Sequence, residues 1–212
     1  MQAVIFDVDG TLWDSTEKVA ISWRETCRRR GVDGRHITKE RLMGEFGKLL
    51  DDIGISLFPD LPKEEAIALT AIACDEELDY LHIDPPKLYD GIPELFIALR
   101  EMGLKTCIVS NAQKGYVETL LDVTCLSPYV DSYLQAGDTG TDKAGTIRIL
   151  MERESIESAV YVGDTYGDFT ATKAAGLPFV HAAYGFGEVP EPDARIFHPL
   201  ELPDVIRKLA SK

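Results

Sequence analysis

Residues 3–12 read AVIFDVDGTL, a short apolar run followed directly by two aspartates. A continuous apolar run of this length predicts a strand that is buried on both faces of a parallel sheet. In an extended chain, residues two apart project to the same side, so Asp7 and Asp9 can address one ligand. Gly10 permits a tight turn and a close approach of the backbone. The stretch therefore predicts a buried strand that presents paired carboxylates at its end.

Similar apolar runs recur along the chain at 106–109, 159–162 and 177–180, and helical periodicity separates them. Strands that alternate with helices predict an α/β fold with a doubly wound, Rossmann-like parallel sheet. Between residues 11 and 92 the periodicity is helical only, with predicted helices ending near Gly31 and covering 38–50 and 63–81. We therefore predict an α/β catalytic core of residues 1–13 and 87–212, with an inserted α-helical cap domain of residues 14–86.

Composition and charge narrow the classes of partner. The chain has 212 residues, is 45% hydrophobic and 27% charged, and carries a formal net charge of −14. A field of this sign repels phosphate backbones and anionic lipids, so we expect neither nucleic acid nor a membrane as partner. The cysteines are widely spaced without a CxxC pair, which predicts buried thiols in a reducing cytosol and a cytoplasmic protein. No pattern indicates an oligomeric state.

Polar side chains follow several of the predicted strands where those strands end. They are Asp7, Asp9, Ser110, Asn111, Asp164 and Asp168. In open parallel sheets, ligands bind at the carboxyl ends of the strands, so we expect these side chains to meet there. Clustered carboxylates repel one another and raise one another's pKa values unless a cation binds between them. Oxygen ligands without histidine or thiolate favour Mg²⁺ as that cation.

The motifs resemble those of the haloacid dehalogenase-type phosphohydrolase superfamily, and the resemblance spans nearly the whole chain. Its four motifs appear in order as 7–12 (DVDGTL), Ser110-Asn111, Lys143 and 163–168 (GDTYGD). A helical insertion directly after the first motif is similar to the subgroup with a helical cap, and the closest likeness is to phosphoglycolate-phosphatase-like enzymes. One departure is Ala144, where the family often has a proline after the lysine.

The resemblance implies roles for the carboxylates. Asp7 is the expected nucleophile, because a carboxylate can split monoester hydrolysis into two displacements. Asp9 is the expected general acid and then general base. Mg²⁺ is expected on Asp7, the backbone carbonyl of Asp9 and Asp164. Asp168 is assigned to the same metal site, where it either binds the ion or orients its ligands, and a plain helix cap is its alternative.

The remaining expected site residues bind phosphate or leaving group. Ser110 and Asn111 are expected at a strand-to-helix junction that suits phosphate oxygens, with a helix cap as the alternative. Lys143 lies in the first turn of a predicted helix, where a cation is disfavoured, which suggests that it balances Asp7 and the phosphate rather than being a solvated lysine. Lys48 in the cap is a candidate for the leaving group, and a solvated side chain is its alternative. Gly10 and Thr11 complete the expected substrate-binding residues.

Together these features predict a Mg²⁺-dependent phosphatase that acts on a small phosphorylated metabolite, phosphoglycolate-like or a sugar phosphate, through an aspartyl-phosphate intermediate. One alternative is a phosphomutase of sugar phosphates. The related mutases carry a cap histidine and a cap arginine at the positions that Val19 and Gly47 occupy here. A different class is an aspartate phospho-acceptor signalling domain, but such receivers lack a large insertion after the first strand.

Overall fold

The computed structural model describes residues 1–210, and a parallel six-stranded sheet lies at the centre of this described part. The strands are β1 (Ala3–Phe6), β2 (Lys105–Ser110), β3 (Ser132–Gln135), β4 (Ala159–Gly163), β5 (Phe179–Ala182) and β6 (Ala194–Ile196). Their spatial order is β3-β2-β1-β4-β5-β6, and every neighbouring pair is parallel. Phe6 of β1 pairs with Ile108 on one side and Val162 on the other. The predicted doubly wound α/β fold is confirmed, with its topological switch beside β1.

Helices cover both faces of this sheet. From residue 92 onward they are α5 (Ile92–Glu101), α6 (Tyr116–Thr124), α7 (Ala136–Thr139), α8 (Lys143–Arg153), α9 (Tyr166–Ala175) and α10 (Leu202–Ala210). Alternate residues of β1 belong to two different cores, because successive side chains of a strand point to opposite faces. Val4 and Phe6 pack with α5, α6 and α10, whereas Ala3 and Ile5 pack with α8 and α9. The strand is therefore buried on both faces, as its apolar run predicts.

A helical segment connects β1 to α5 and has a hydrophobic cluster of its own. Its helices are α1 (Thr16–Arg29), α2 (Lys39–Met43), α3 (Leu50–Leu57) and α4 (Lys63–Ile83). The cluster includes Trp23 of α1 and Leu69 of α4. Ion pairs lie near the two points where the chain enters and leaves this segment: Lys39 with Asp14 at 2.6 Å and Lys18 with Asp84 at 2.5 Å. The division into a core and a cap at 14–86 stays a prediction.

Several predicted elements differ from the observed ones. The helix expected over 38–50 is broken, because α2 ends at Met43 and α3 begins only at Leu50. Gly47 lies in the intervening loop with a φ of +91°, a left-handed conformation that ends helices. Strands β3 and β6 were not expected, and β5 begins two residues later than its apolar run suggested.

Two further expectations concern cysteines and membranes. Cys27, Cys74 and Cys107 are buried thiols as expected, but Cys125 is exposed, where α6 ends with a left-handed residue. Within residues 1–210, no helix combines the length and the apolar character that crossing a membrane requires.

Candidate active site

Acidic side chains meet at the carboxyl ends of β1 and β4. Asp7 follows β1, Asp164 follows β4, and Asp168 lies in the first turn of α9. One carboxylate oxygen from each lies within 4.8 Å of the others, and all of these side chains are buried. Carboxylate oxygens are the ligands of hard cations, and the cluster contains no thiolate or imidazole. The donor set therefore fits Mg²⁺.

Glycines allow the backbone to pack closely around Asp164. A Cβ at Gly10 would overlap the Asp164 carboxylate, and a Cβ at Gly185 would overlap both Asp164 and the Gly10 carbonyl. The backbone N–H of Phe186 donates to Asp164 Oδ2 at 2.7 Å. Burial raises the pKa of Asp164 well above its usual value, and the neighbouring Asp168 and Asp7 carboxylates raise it further. Such a carboxylate is stabilised in its ionised form by a bound cation.

Lys143 lies at the centre of the buried charges. Its Nζ donates to Asp7 Oδ1 at 2.8 Å and to Asp168 Oδ1, and its side chain is 4% exposed. Burial alone lowers the pKa of Lys143, but attraction to Asp168 and Asp7 outweighs it and raises the pKa well above the usual value. The lysine begins α8, as predicted, after the N-cap Asp142. The alternative of a solvated lysine is wrong.

Asp168 has two structural partners besides its place in the carboxylate cluster. Its Oδ1 accepts from Lys143, and its Oδ2 accepts from the Thr165 backbone N–H at 3.0 Å and the Thr165 hydroxyl at 2.6 Å. Thr165 is the N-cap of α9, and the two residues form a reciprocal capping box. Asp168 thus takes part in the cap of α9, from the third position of the box in which Thr165 is the N-cap, and it also holds Lys143. Its place in a metal site stays a prediction.

Asp9 is held apart from that cluster by a separate network. Its Oδ1 accepts hydrogen bonds from Trp13 Nε1 at 3.0 Å, Ser15 Oγ at 2.5 Å and Tyr116 Oη at 2.9 Å. Burial raises the pKa of Asp9 to about 6, although the hydrogen bonds from Ser15, Tyr116 and Trp13 lower it. Ser15 and Tyr116 were not among the predicted site residues. Only the position of Ser15 close behind Asp9 offered a signal, because Tyr116 is far away in the chain.

Ser110 and Asn111 follow β2 but do not lead directly into a helix. Helix α6 begins at Tyr116, so the expected strand-to-helix junction is wrong. Ser110 Oγ accepts from the Ala112 backbone N–H at 3.2 Å. Asn111 Nδ2 donates to the Gly47 carbonyl at 2.7 Å, whereas its buried Oδ1 has no hydrogen-bond partner within residues 1–210. Asn111 therefore joins the sheet to the loop between α2 and α3.

A cavity of about 50 Å³ lies between the sheet end and the inserted helices. The expected site residues that line it are Asp7, Asp9, Lys48, Ser110, Asn111 and Lys143. Gly10, Thr11, Asp164 and Asp168 lie outside its described lining. Thr11 instead points its hydroxyl at Asp164 Oδ1, 3.5 Å away. Lys48 is half exposed, and its Nζ pairs with the buried Glu45 at 2.7 Å. The inserted helices also contribute Trp23, Phe46, Leu50, Ile53 and Glu77 to the walls.

The chain belongs to the haloacid dehalogenase-like hydrolases, because the model of that family matches residues 4–182. The family expected from the motifs is confirmed. The chain is similar to the phosphoglycolate phosphatase of Aquifex aeolicus (29% identical, covering 95% of each chain) and to that of Escherichia coli O157:H7 (24% identical, covering 88% of this chain and 82% of the other).

Solved structures show the same relationship. The crystal structure of a predicted phosphatase from Clostridium acetobutylicum superposes with a TM-score of 0.81 at 25% identity and covers 98% of both chains. A haloacid dehalogenase-superfamily hydrolase of subfamily IA from Geobacter sulfurreducens superposes with a TM-score of 0.72 at 21% identity, covering 97% of this chain and 96% of the other. The second likeness shows the fold alone.

Proposed function

We propose that the chain is a Mg²⁺-dependent phosphatase that hydrolyses a small phosphate monoester, phosphoglycolate-like or a sugar phosphate, through an aspartyl-phosphate intermediate. The observation that carries this proposal is the Asp7 carboxylate, which lines the cavity while Lys143 holds one of its oxygens at 2.8 Å. The names of the relatives, phosphoglycolate phosphatases, support the choice of reaction.

Asp7 is the nucleophile of the first step. Burial raises its pKa and the nearby Asp168 adds to the rise, but Lys143 opposes both and favours the ionised form. A carboxylate oxygen of Asp7 attacks phosphorus, the bond from phosphorus to the ester oxygen breaks, and an aspartyl phosphate forms. The Lys143 ammonium balances the charge at this oxygen throughout, because it is already in place before the reaction.

Asp9 moves the proton in both steps. Its Oδ1 is occupied by donors from Trp13, Ser15 and Tyr116, so Oδ2 is the oxygen that carries the proton. In the first step this proton passes to the leaving oxygen. In the second step the Asp9 carboxylate takes a proton from the attacking water, which releases phosphate and restores both aspartates. A pKa of about 6 suits a group that must both donate and accept near neutral pH.

The proposed metal ligands are the side chains of Asp7 and Asp164 with the backbone carbonyl of Asp9. Mg²⁺ bound there would neutralise charge on the transferring phosphoryl group. Both oxygens of Asp168 already accept hydrogen bonds, from Lys143 and from Thr165, which favours an orienting role over direct ligation. Gly10 and Thr11 act on Asp164 rather than on the substrate, because one makes room for it and the other points a hydroxyl at it.

The helical segment acts as the cap in this proposal. Core residues 1–13 and 87–212 carry the reacting groups, and residues 14–86 cover them. The Asn111 hydrogen bond to the Gly47 carbonyl and the edge contact of Phe46 with Phe186 (6.4 Å between centroids) join the two parts. Closing the cap excludes bulk water from the aspartyl phosphate and selects the leaving group. The natural substrate is a small phosphorylated metabolite of the cytoplasm.

The test is phosphate release from a panel of small phosphomonoesters, measured with Mg²⁺, after chelation, and after Mg²⁺ is restored. We expect turnover only with the metal present, and none with the Asp7→Asn variant. Asp122→Asn, an exposed aspartate on α6, is the matched control and should match the unchanged protein. Full activity after chelation, or in Asp7→Asn, would refute the mechanism, and no turnover of any ester would refute the function.

A further inference from the structure

Glu77 is a buried carboxyl of the cavity that the mechanism above does not use. It lies on α4 of the helical segment, is 3% exposed, and lines the same cavity as Asp7 and Asp9. Asp7 lines this cavity together with Glu77, so the cavity is the space that a leaving group displaced by Asp7 can occupy. Glu77 therefore belongs to the surface that meets the leaving group.

The partners of Glu77 are neutral hydrogen-bond donors. Trp23 Nε1 donates to its Oε2, and Gln113 Nε2 donates to its Oε1 at 2.6 Å. Gln113 Nε2 is fixed in turn by the Cys74 carbonyl at 3.0 Å. Within residues 1–210, no lysine, arginine or histidine forms an ion pair with Glu77. A buried carboxylate without a cation is costly, so the neutral acid is favoured.

The groups that face Glu77 support this protonation state. Burial raises the pKa of Glu77 to about 8, against the hydrogen bonds from Gln113 and Trp23, and the Asp9 carboxylate adds to the rise. Burial also raises the pKa values of Tyr116 on α6 and Cys74 on α4 well above their usual values, so both remain neutral near pH 8. Lys48 is the cation of the cap wall, and it pairs with Glu45.

A neutral Glu77 carries one hydrogen-bond donor, its O–H group, and this donor needs an acceptor. Its oxygens already accept from Trp23 and Gln113, and no described residue accepts its own O–H. The walls beside it include the side chains of Phe46 and Ile53, and in such apolar surroundings an unpaired O–H is costly. The group that accepts this proton must therefore be an oxygen of the ligand or of water.

We propose that Glu77 determines the specificity of the leaving-group site, donating its O–H to an acceptor oxygen of the leaving group, best a carboxylate. This inference rests on the proposed phosphatase function. It assigns to the site the phosphate monoesters of small hydroxy acids, in preference to those of simple alcohols. The small cavity favours a small leaving group of either kind, because about 50 Å³ leaves room for only a few atoms. Lys48 also lines this cavity, where its Nζ pairs with Glu45.

The test compares two esters that differ only at the far end of the leaving group. Phosphoglycolate ends in a carboxylate, and 2-hydroxyethyl phosphate ends in a hydroxymethyl group. Both compete in one reaction with Mg²⁺, so the ratio of their kcat/KM values does not depend on the fraction of active protein. The phosphate groups of both esters are mostly dianionic from pH 7 to pH 9, because their second pKa is about 6, and they titrate alike. Over the same range the neutral fraction of Glu77 falls about tenfold.

We expect the unchanged protein to prefer phosphoglycolate at pH 7 and to lose about tenfold of that preference by pH 9. Glu77→Gln should keep the preference at both pH values, because its amide N–H can donate to the leaving group and does not titrate. Glu77→Ala should lose the preference at both. Asp79→Asn, an exposed carboxyl on the same helix, should follow the unchanged protein.

Contrary outcomes separate this inference from the proposed function. A preference that rises with pH, or that Glu77→Ala retains, would overturn the inference while leaving the phosphatase function in place. If Glu77→Ala does not fold, the pH profiles of the unchanged protein and of Glu77→Gln decide the matter. No turnover of either ester by the unchanged protein would overturn both.

Discussion

Replacing Lys143 with methionine tests the buried charges of the site. Methionine is of similar length and carries no charge, so Lys143→Met leaves Asp7 and Asp168 buried without their cation. We expect one of these carboxyls to take up a proton in the folded state, because two adjacent buried carboxylates repel each other. Because Lys143 is buried, its replacement should lower the stability of the fold, whereas the replacement of an exposed lysine would change it little.

The size of the effect follows from the cost of that proton. Protonating a carboxyl with the ordinary pKa of 3.8 at pH 7 costs about 4 kcal/mol. The free energy of unfolding of Lys143→Met should fall by no more than this amount, because the variant can always avoid the buried charge by taking up the proton. Breaking a buried ion pair by removing one partner costs about 3–5 kcal/mol, so the two estimates agree. The folded-state pKa of this carboxyl lies above its unfolded value, so its stabilising contribution is present at low pH and is lost as pH rises. The deficit should therefore be smaller at pH 5 than at pH 7. It changes by less than about 1.4 kcal/mol per pH unit, because burial raises the pKa of Asp7 to about 7 in the unchanged protein, which also takes up a proton as pH falls.

Urea unfolding of metal-free protein at pH 5, 6 and 7 measures this deficit. Lys173→Met is the matched control, because Lys173 pairs with Asp193 at 2.6 Å but both side chains are partly exposed. An exposed pair contributes at most about 1 kcal/mol, so the control should differ little from the unchanged protein at every pH. If Lys143→Met is as stable as Lys173→Met at pH 7, or if its deficit does not depend on pH, the reasoning is wrong.

Other expectations concern the reaction and the cap. Asp7→Asn should form no phosphoenzyme on rapid quenching. Asp9→Asn should still form it from an aryl phosphate, and much less of it from an alkyl phosphate. Equal amounts of phosphoenzyme from the two variants would contradict the roles assigned to these aspartates. Gly47→Ala should raise KM severalfold and lower the melting temperature by a few degrees, because Gly47 has a φ of +91° and a Cβ there would crowd Thr165 Oγ1 at 3.1 Å. An unchanged KM would show that this loop does not shape the site. With β-glucose 1-phosphate, Mg²⁺ and a catalytic amount of sugar bisphosphate, inorganic phosphate should appear faster than glucose 6-phosphate. The reason is that Val19, an apolar residue of the helical cluster, stands where the related mutases carry a histidine. The reverse order would indicate a mutase.

The strands that carry the site were predictable because each is a continuous apolar run. The runs at 3–6 and 159–162 place Asp7 and Asp164 at strand ends without any knowledge of the fold. Strands β3 (SYLQ) and β6 (ARI) carry polar residues and lie at the edges of the described sheet. Their pairing depends on a neighbour that is already in place, which no local pattern reveals.

The contacts between distant residues were not predictable from local pattern. Lys143 reaches Asp7, 136 residues away. Its unfavourable position at the start of a helix indicated a partner of opposite charge, but not the hydrogen bond that it shares with Asp168 or the depth of its burial. Glu77 lies in an acidic run, DEELD at 75–79, which is typical of a solvent-exposed helix face. Its burial follows from Gln113, which lies 36 residues further along the chain. By contrast, Gly44 and Gly47 were visible signals of a helix break that the apolar periodicity concealed.

The central position of β1 has a consequence for the newly made chain. This strand leaves the ribosome before either of its neighbours, since β2 begins at Lys105 and β4 at Ala159. At about 5–20 residues per second, the two edges of β1 stay unpaired for several seconds and up to about half a minute. Meanwhile the helices α1–α4 emerge and pack against one another. Contacts between residues that are close in sequence form faster than pairs of distant strands. The apolar segment 3–6 therefore stays without its strand partners while the chain is being made, and the helical segment that follows it can gain structure first.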